Sequence, residues 1–324
     1  MRAVGVRVLG GPDALEVLDL PEPHAGPGEL RIRVQAAAVN PTDTLQRSTR
    51  RQDVDPPWVP GMDIAGVVDE VGAESSAGGT SSDTGAGDLL AVGDPAMAIV
   101  VPAGTHGAYA EYVVVPKGSA VALPDGADAI AAATLPMNGL TARLALDELA
   151  VPAGGTLAVT GAAGAFGGYV VQLAVAAGIR VVADASDADR DLVRALGADV
   201  VLERGDGFPA AVREVVPDGV DGLADGSVQG DALLPAVRDG GRIATVRGYR
   251  GPSGDETAER GITWHPVWVR TIAEHRDKLD ELRALASSGA VTLRVAGTYP
   301  AERAPDAHRA LEAGGQRGRA VLTF

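Results

Sequence analysis

Apolar and polar residues alternate through much of the first third of the chain, a pattern typical of half-buried strands. Residues 30–35 alternate strictly, and 64–71 and 109–115 are further strand candidates. From about Asp128 the pattern changes, and short apolar runs alternate with helical patterns. The predicted strands are 157–160, 180–183, 200–202, 222–225 and 242–246, with predicted helices that include 188–196 and 208–215. Strand–helix alternation predicts an α/β fold with a doubly wound parallel sheet.

The last part of the chain returns to mixed elements. We predict one long amphipathic helix over 267–286, a strand near 293–296, a short helix around 304–313 and a strand over 319–324. Residues 73–87 are rich in Gly, Ser and Thr and have no periodicity. Such a composition predicts a mobile surface loop.

A glycine-rich turn follows the predicted strand 157–160 and leads directly into a helical pattern. Glycines at such a turn allow the backbone to approach a diphosphate, and the helix N-terminus offers N–H groups to it. The next strand ends near Asp184, at roughly the ~20-residue spacing of an acid that binds an adenosine ribose. The predicted dinucleotide-binding turn consists of Gly161, Ala162, Ala163, Gly164, Ala165, Phe166 and Gly167.

Two later strand ends extend this candidate site. In a parallel sheet, ligands bind at the carboxyl ends of the strands. The residues that follow the last two predicted strands should therefore border the nicotinamide half of a cleft, although ordinary turn composition explains them equally well. They are Asp225, Gly226 and Ser227 after one strand, and Val246, Gly248 and Tyr249 after the other.

Composition narrows the class of protein. The chain has 324 residues, enough for two domains, and 46% of them are apolar. The net charge of −15 argues against nucleic-acid binding. No apolar run is long enough for a membrane span and the first residues lack a signal-peptide layout, so we expect no membrane association and a cytoplasmic protein. The absence of cysteine excludes disulfides and cysteine-ligated zinc.

Six motifs together resemble the medium-chain dehydrogenase/reductase superfamily, specifically its zinc-free quinone oxidoreductase branch. They are Val39–Asn40–Pro–Thr–Asp43, residues 60–72 with Asp63 where Glu is usual, residues 92–94, residues 107–112, residues 135–142, and residues 307–319 with Arg319 where Lys is common. The resemblance runs nearly end to end. It implies a GroES-like β-rich catalytic domain over 1–126, completed by 267–324, and a Rossmann cofactor domain over 127–266.

The resemblance also implies site residues. Asn40 and Asp43 would lie beside the nicotinamide, Asn138 and Thr141 would line its ribose, and Arg319 would belong to the cofactor site. Helix capping explains Asn40 and Asp43 equally well, and an N-cap ahead of Ala142 explains Asn138 and Thr141. Tyr249, Trp264 and Trp268 form either an apolar substrate wall or ordinary packing.

The local chemistry and the resemblance disagree about the cofactor. A carboxylate at Asp184 accepts both ribose hydroxyls and repels a 2′-phosphate, which favours NAD(H). The resemblance favours NADP(H), which would require Asp184 to rotate away and Ser186 and Arg190 to hold the phosphate. We predict NADP(H) on the resemblance, with NAD(H) as the alternative.

The resemblance implies hydride transfer to a quinone or an activated alkene, without a metal. The histidines lie in unrelated contexts and lack the spacing of paired ligands; they are His24, His106, His265, His275 and His308.

An enoyl-thioester reductase of the same superfamily is an alternative, although the tyrosine that those enzymes place shortly after the N-terminal turn is absent from 45–53. A catalytically silent NAD(P)H-binding scaffold is the other alternative. The family also implies a homodimer, for which a strand near 257–264 would supply the edge.

Overall fold

The computed structural model describes residues 1–49, 54–73, 90–251 and 259–324. The chain divides into two compact units. Unit 1 comprises Met1–Met137, Ala273–Ser287 and Leu293–Phe324, and unit 2 comprises Asn138–Ile272 and Ser288–Thr292. The sequence placed the borders at 126/127 and 266/267, whereas the units meet after Met137 and after Ile272.

Strands occur in both units. They are β1 (Arg2–Gly5), β2 (Glu16–Asp19), β3 (Glu29–Ala38), β4 (Asp63–Val71), β5 (Pro95–Ile99), β6 (Tyr112–Pro116), β7 (Ala120–Ala122), β8 (Thr156–Thr160), β9 (Arg180–Ala185), β10 (Val200–Glu203), β11 (Val220–Asp225), β12 (Val237–Thr245), β13 (Thr263–Pro266), β14 (Val295–Pro300) and β15 (Arg319–Thr323). The helices are α1 (Pro41–Ser48), α2 (Ala129–Ala132), α3 (Pro136–Leu149), α4 (Ala165–Ala176), α5 (Arg190–Ala195), α6 (Phe208–Val215), α7 (Arg276–Ser287) and α8 (Ala304–Glu312).

Unit 1 is built on a sheet with the strand order β14-β15-β3-β4-β5-β7, to which β6 adds by pairing with β3. The long strand β3 runs antiparallel to β4, β6 and β15. Its alternating positions Leu30, Ile32 and Val34 are buried, as a half-buried strand requires. They belong to one apolar core with Val4, Leu18 and the aromatic face of Tyr109.

The described part of unit 2 contains six parallel strands in the order β10-β9-β8-β11-β12-β13. The chain leaves β8 in one direction towards β9 and later continues on its other side with β11, so the order reverses at β8. Such a reversal point is where open α/β sheets bind ligands, at the carboxyl ends of the strands. The turns after β8, β9, β11 and β12 therefore share one edge of this sheet.

The predicted fold class is confirmed. The five predicted strands of the parallel sheet and the helix over 208–215 are all present. The long helix predicted over 267–286 is wrong. Val269–Ile272 forms a short 3-10 helix and α7 starts only at Arg276. Val269, Ile272, Leu279 and Leu282 are buried at helical spacing, so the periodicity suggested one helix, but the chain passes from unit 2 to unit 1 at Ala273.

The predicted mobile loop at 73–87 lies, apart from residue 73, outside the described residues. Among the helices of the described part of the chain, none has the length and apolar character needed to cross a membrane.

Candidate functional site

The predicted glycine turn links β8 to α4 in unit 2. Gly161 has φ +66°, a left-handed conformation that favours glycine, and Gly164 is the N-cap of α4. A Cβ on Gly167 would lie 2.3 Å from the carbonyl oxygen of Gly161, so only glycine lets the helix approach the turn this closely. The first N–H groups of a helix lack partners within the helix and suit an anionic ligand. Ala162 and Ala163 are buried in the middle of the turn, and Ala165 opens α4.

Asp184 points its carboxylate into this turn. Its side chain is only 4% exposed, and Oδ1 accepts a hydrogen bond of 3.1 Å from the backbone N–H of Ala162. Burial raises the pKa of Asp184, although hydrogen bonds from the backbone N–H groups of Ala162 and Gly161 act in the opposite direction. The carboxylate thus stabilises the glycine turn from within.

The residues after β9 form a polar turn. Ser186 donates from its hydroxyl to Oδ2 of Asp189 at 2.5 Å. Arg190 donates from Nε to Asp187 at 2.9 Å and from Nη1 to the carbonyl of Val201 at 3.1 Å. Ser186 and Arg190 therefore lie at the strand end where the sequence placed them.

Arg204 is a residue of this region that the sequence analysis missed. It follows β10, and its backbone N–H donates to the carbonyl of Ala185 at 3.0 Å. Its positive charge is one of the influences that lower the pKa of Asp184. The signal was available, since Arg204 lies two residues after the predicted strand 200–202.

The end of β11 is joined to the end of β8 by hydrogen bonds. Thr160 donates from Oγ1 to Oδ1 of Asp225 at 2.8 Å, and the backbone N–H of Gly230 donates to Oδ2 at 2.9 Å. The N–H of Ser227 reaches Oγ1 of Thr160 at 3.3 Å. A Cβ on Gly226 would lie 3.1 Å from the ring of Phe166. The two turns that the sequence assigned to the cofactor are thus adjacent.

The end of β12 packs against aromatic rings. Thr245 donates from Oγ1 to the carbonyl of Tyr249 at 2.5 Å, which holds the turn that contains Val246 and Gly248. The rings of Tyr249 and Trp264 meet edge to face, with centroids 5.5 Å apart. Trp268 lies next to Gly248, where a Cβ would come within 3.2 Å of its ring.

Asn138 and Thr141 lie on α3, one turn apart and therefore on the same side of the helix. Both side chains are buried. Because α3 begins at Pro136, two residues before Asn138, the alternative that these residues cap a helix starting at Ala142 is wrong.

The predicted N-terminal turn in unit 1 is the start of α1. Asn40 is the N-cap, and its backbone N–H donates to Oδ2 of Asp43 at 2.7 Å. The Asn40 amide donates from Nδ2 to Oδ2 of Asp63 at 2.6 Å, and the backbone N–H of Met137 donates to Oδ1 of Asp63, also at 2.6 Å. Asn40, Asp43 and Asp63 are fully buried. The capping role considered for Asn40 and Asp43 is therefore present.

Four further polar side chains continue from Asp43, and the sequence analysis assigned them no role. The Tyr109 hydroxyl donates to Oδ2 of Asp43 at 2.9 Å and lies 3.1 Å from Nε2 of His308. Nη1 of Arg47 lies 3.3 Å from Nδ1 of His308, and Nη2 of Arg47 donates to Glu312 at 2.5 Å. Tyr109 and His308 lie within the family motifs, but nothing in the sequence says that they meet.

The two buried carboxyl groups have strongly perturbed acidities. Burial raises the pKa of Asp43 from 3.8 to about 7, against the lowering effect of the Asn40 and Tyr109 hydrogen bonds and of the Arg319 charge. Burial likewise raises the pKa of Asp63 to about 7, against the hydrogen bonds from Met137 and Asn40. Arg319, at the start of β15, is itself 7% exposed and belongs to unit 1.

A metal site was tested on the donor groups. Within the described ranges, no three His, Asp or Glu side chains come together in a way that would hold a metal ion. The two ring nitrogens of His308 lie within hydrogen-bond distance of Arg47 and Tyr109. The described residues therefore do not fit a catalytic zinc.

Comparisons with known proteins agree with this architecture. The family "Alcohol dehydrogenase GroES-like domain" matches residues 26–125, and the family "Zinc-binding dehydrogenase" matches residues 196–322. The NADPH-dependent alkenal/one oxidoreductase of Arabidopsis thaliana chloroplasts is 29% identical over 97% of this chain and 77% of its own length.

Two solved structures are similar over the whole chain. A mycobacterial quinone oxidoreductase is 30% identical with a TM-score of 0.82, and each chain is covered completely. An NAD-dependent alcohol dehydrogenase is 29% identical with a TM-score of 0.85, again with complete coverage of both chains.

The fold, the glycine turn and these matches together define an NAD(P)H-dependent oxidoreductase. The chain belongs to the medium-chain dehydrogenase/reductase superfamily, in its quinone oxidoreductase branch. The resemblance inferred from the sequence motifs is confirmed.

Proposed function

We propose that the protein uses NADPH to reduce quinones or activated alkenes such as enones, without a metal. The observation that carries the proposal is the glycine turn at the reversal point of the unit 2 sheet, closed from within by Asp184. When bound, NADPH supplies a hydride to an electron-poor double bond or a quinone carbonyl. One proton from water completes the reduction.

The state of Asp184 supports NADPH. A carboxylate that accepts backbone N–H groups of the turn is not presented to a ribose, so its repulsion of a 2′-phosphate is reduced. Ser186, Arg190 and Arg204 follow the ends of β9 and β10, and we propose them as the phosphate ligands. The Arabidopsis thaliana relative is NADPH-dependent, whereas one structural relative is NAD-dependent, so the assignment rests on these side chains.

On the substrate side, we propose roles for Asn40, Asp43, Asn138 and Thr141. Negative charge develops on the substrate oxygen during hydride transfer, and it is stabilised best by fixed hydrogen-bond donors. The Asn40 amide and the Thr141 hydroxyl are donors, and both belong to buried, ordered elements. An ionised Asp43 offers only acceptor oxygens to such a charge, so we propose that it acts by holding the turn of Asn40, whose backbone N–H donates to it.

The first experiment compares the two cofactors. Quenching of tryptophan fluorescence is titrated with NADPH and NADH, and oxidation is followed with a benzoquinone and with an α,β-unsaturated ketone. We expect NADPH to bind at least about tenfold more tightly, a difference of roughly 1.4 kcal/mol. Arg190→Ala and Arg204→Ala should remove this preference and leave NADH binding unchanged, with Arg194→Ala, a surface arginine on α5, as the control.

The outcomes separate the alternatives. Tighter binding of NADH contradicts the NADPH assignment. Tight binding of NADPH without oxidation by either substrate contradicts the proposed reaction. A further assay with an enoyl thioester then separates the two alternatives, because the reductase oxidises NADPH with it and the scaffold does not.

We further propose a cytoplasmic homodimer. The strand β13 ends the described order of the unit 2 sheet, and its neighbour in that order is β12. The predicted edge near 257–264 overlaps it, although 257 and 258 lie outside the described residues. Sedimentation velocity at micromolar concentration tests the dimer, and a monomer contradicts it.

A further inference from the structure

The hydrogen bonds around His308 have only one consistent direction. A guanidinium donates and never accepts, so Nδ1 of His308 must accept from Arg47. A neutral imidazole then carries its hydrogen on Nε2, which faces the Tyr109 oxygen at 3.1 Å. The Tyr109 hydroxyl accepts there and donates its own hydrogen to Asp43. Arg47, His308, Tyr109 and Asp43 therefore form a directed chain of donors that ends on a carboxylate.

Arg47 is itself held in place at the start of this chain. Its Nε donates to the carbonyl of Gly10 at 3.1 Å, and its Nη2 pairs with Glu312 at the end of α8. Arg47 is 3% exposed, and Tyr109, His308 and Asp43 have no exposed surface. Buried polar groups are costly unless they are hydrogen-bonded, so each member of the chain needs the next.

Several charged groups face Asp43 from the surrounding elements. Asp63 lies at the start of β4 and Arg319 at the start of β15, and Arg47 lies on α1 with Asp43 itself. His308 comes from α8, and Tyr109 from the segment before β6. Two buried carboxyls and two buried guanidiniums thus surround the turn of Asn40.

The hydrogen-bond chain from Arg47 to Tyr109 is suited to favour the charged form of Asp43. Burial and the Arg47 charge lower the pKa of His308 to about 3, so the imidazole stays neutral at ordinary pH and keeps one tautomer. The Tyr109 hydroxyl is one of the groups that lower the pKa of Asp43 against the effect of burial. Loss of this donor should therefore favour the neutral acid.

We propose, on the basis of the proposed function, that Arg47, His308 and Tyr109 are positioning residues that hold Asp43 as a carboxylate. The carboxylate in turn holds the backbone of Asn40 through its N–H group, while Asp63 holds the Asn40 amide. The orientation of Asn40 is therefore set by side chains that do not themselves take part in the reaction.

The test uses two disruptive variants and two matched ones. Tyr109→Phe removes the donor to Asp43, and His308→Leu removes the group that orients it. His308→Gln keeps the chain, because its amide oxygen accepts from Arg47 and its amide N–H₂ donates to Tyr109. Tyr112→Phe removes the hydroxyl from a ring that stacks with Arg31, outside the chain, and keeps that ring.

The pH dependence of kcat is the main readout. Tyr109→Phe and His308→Leu should move the acidic limb upward by about one pH unit, the shift expected for a lost hydrogen bond to a charged group. On the acidic limb, kcat then falls about tenfold, since one pKa unit is a factor of ten. KM for NADPH should stay within about twofold, because ground-state binding of the cofactor is retained. His308→Gln and Tyr112→Phe should keep the limb of the wild type.

An unchanged limb in both disruptive variants overturns the proposal, and so does a His308→Gln variant that behaves like His308→Leu. If none of the substrates (quinone, enone or enoyl thioester) supports NADPH oxidation by the wild type, the proposed function fails. The hydrogen-bond chain is then tested by the unfolding free energy instead. The pH dependence of the unfolding free energy should then reach to higher pH in Tyr109→Phe than in the wild type and Tyr112→Phe. An identical pH dependence of the unfolding free energy in all three proteins overturns the proposed hydrogen-bond chain.

Nitrogen-15 NMR gives a second readout that does not need turnover. The His308 signals, identified by their absence in His308→Gln, should report the neutral Nε2–H tautomer between pH 6 and 8. An imidazolium or an Nδ1–H tautomer in this range overturns the direction of the chain.

Discussion

At the scale of single residues, the buried carboxyl groups of unit 1 define how stability depends on pH. Asp43 and Asp63 have folded-state pKa values of about 7, above the 3.8 of an unperturbed carboxyl. Between about pH 4 and 7 the folded state therefore binds more protons than the unfolded state. The stability that this provides is fully present below pH 4 and is lost as the pH rises through 7.

We predict that Asp63→Asn flattens this dependence. The wild type should lose on the order of 4 kcal/mol of unfolding free energy per carboxyl between pH 4 and 8, the equivalent of its pKa shift. The variant lacks one of the two groups, so its slope should be clearly smaller. Chemical denaturation followed by circular dichroism at several pH values measures the difference. Asp191→Asn, which removes an exposed carboxylate on α5, is the control, and equal slopes in all three proteins contradict the prediction.

The sequence identified some of these residues and missed others for a physical reason. Asn40 and Asp43 lie three positions apart, so a local capping pattern reveals them. Tyr109 lies 66 positions from Asp43, and His308 lies 199 positions from Tyr109. No periodicity connects residues so distant, because only the fold of unit 1 brings the segment before β6, α8 and the start of α1 together.

At the scale of elements, the contact between β8 and α4 depends on the absence of a side chain. Gly167 faces the Gly161 carbonyl, and a Cβ there would lie 2.3 Å from the oxygen. We predict that Gly167→Ala pushes the helix away from the turn and weakens NADPH binding at least about tenfold, or roughly 1.4 kcal/mol. Fluorescence titration measures the affinity.

Gly207→Ala is the matched control for this prediction. Gly207 caps α6 in the same unit, has no atom within 4 Å of the added Cβ and does not have a positive φ. It should bind NADPH like the wild type. Equal affinity of Gly167→Ala and Gly207→Ala would contradict the steric argument.

Helices and strands could be predicted from the sequence where their buried residues follow a single regular spacing. Five parallel strands of unit 2 are short apolar runs, and their predicted carboxyl ends lie within two residues of the observed ones, although β12 begins at Val237 rather than at 242. The helix over 267–286 was wrong because residues of equal spacing can be buried in two different units. The spacing of apolar residues predicts which of them are buried, but it does not predict in which unit they are buried.

At the scale of the whole molecule, the chain combines the family's architecture with a donor set that does not suit zinc. There is no cysteine, and the described residues gather no three metal-binding side chains. We predict that prolonged dialysis against a chelator leaves NADPH oxidation by quinone unchanged and that added zinc gives no activation. Thiol-modifying reagents should likewise have no effect. Loss of activity on dialysis with recovery on zinc addition would contradict this prediction.

The hydrogen bond from Ala162 to Asp184 constrains how cofactor choice can evolve in this protein. A mutation of Asp184 that alters cofactor preference also removes an acceptor from the glycine turn, so it harms binding of both cofactors at once. Ser186, the residue after β9, bonds Asp189 through its hydroxyl and is free of that obligation. Selection for a new cofactor can therefore proceed through Ser186, whereas Asp184 is kept under either cofactor.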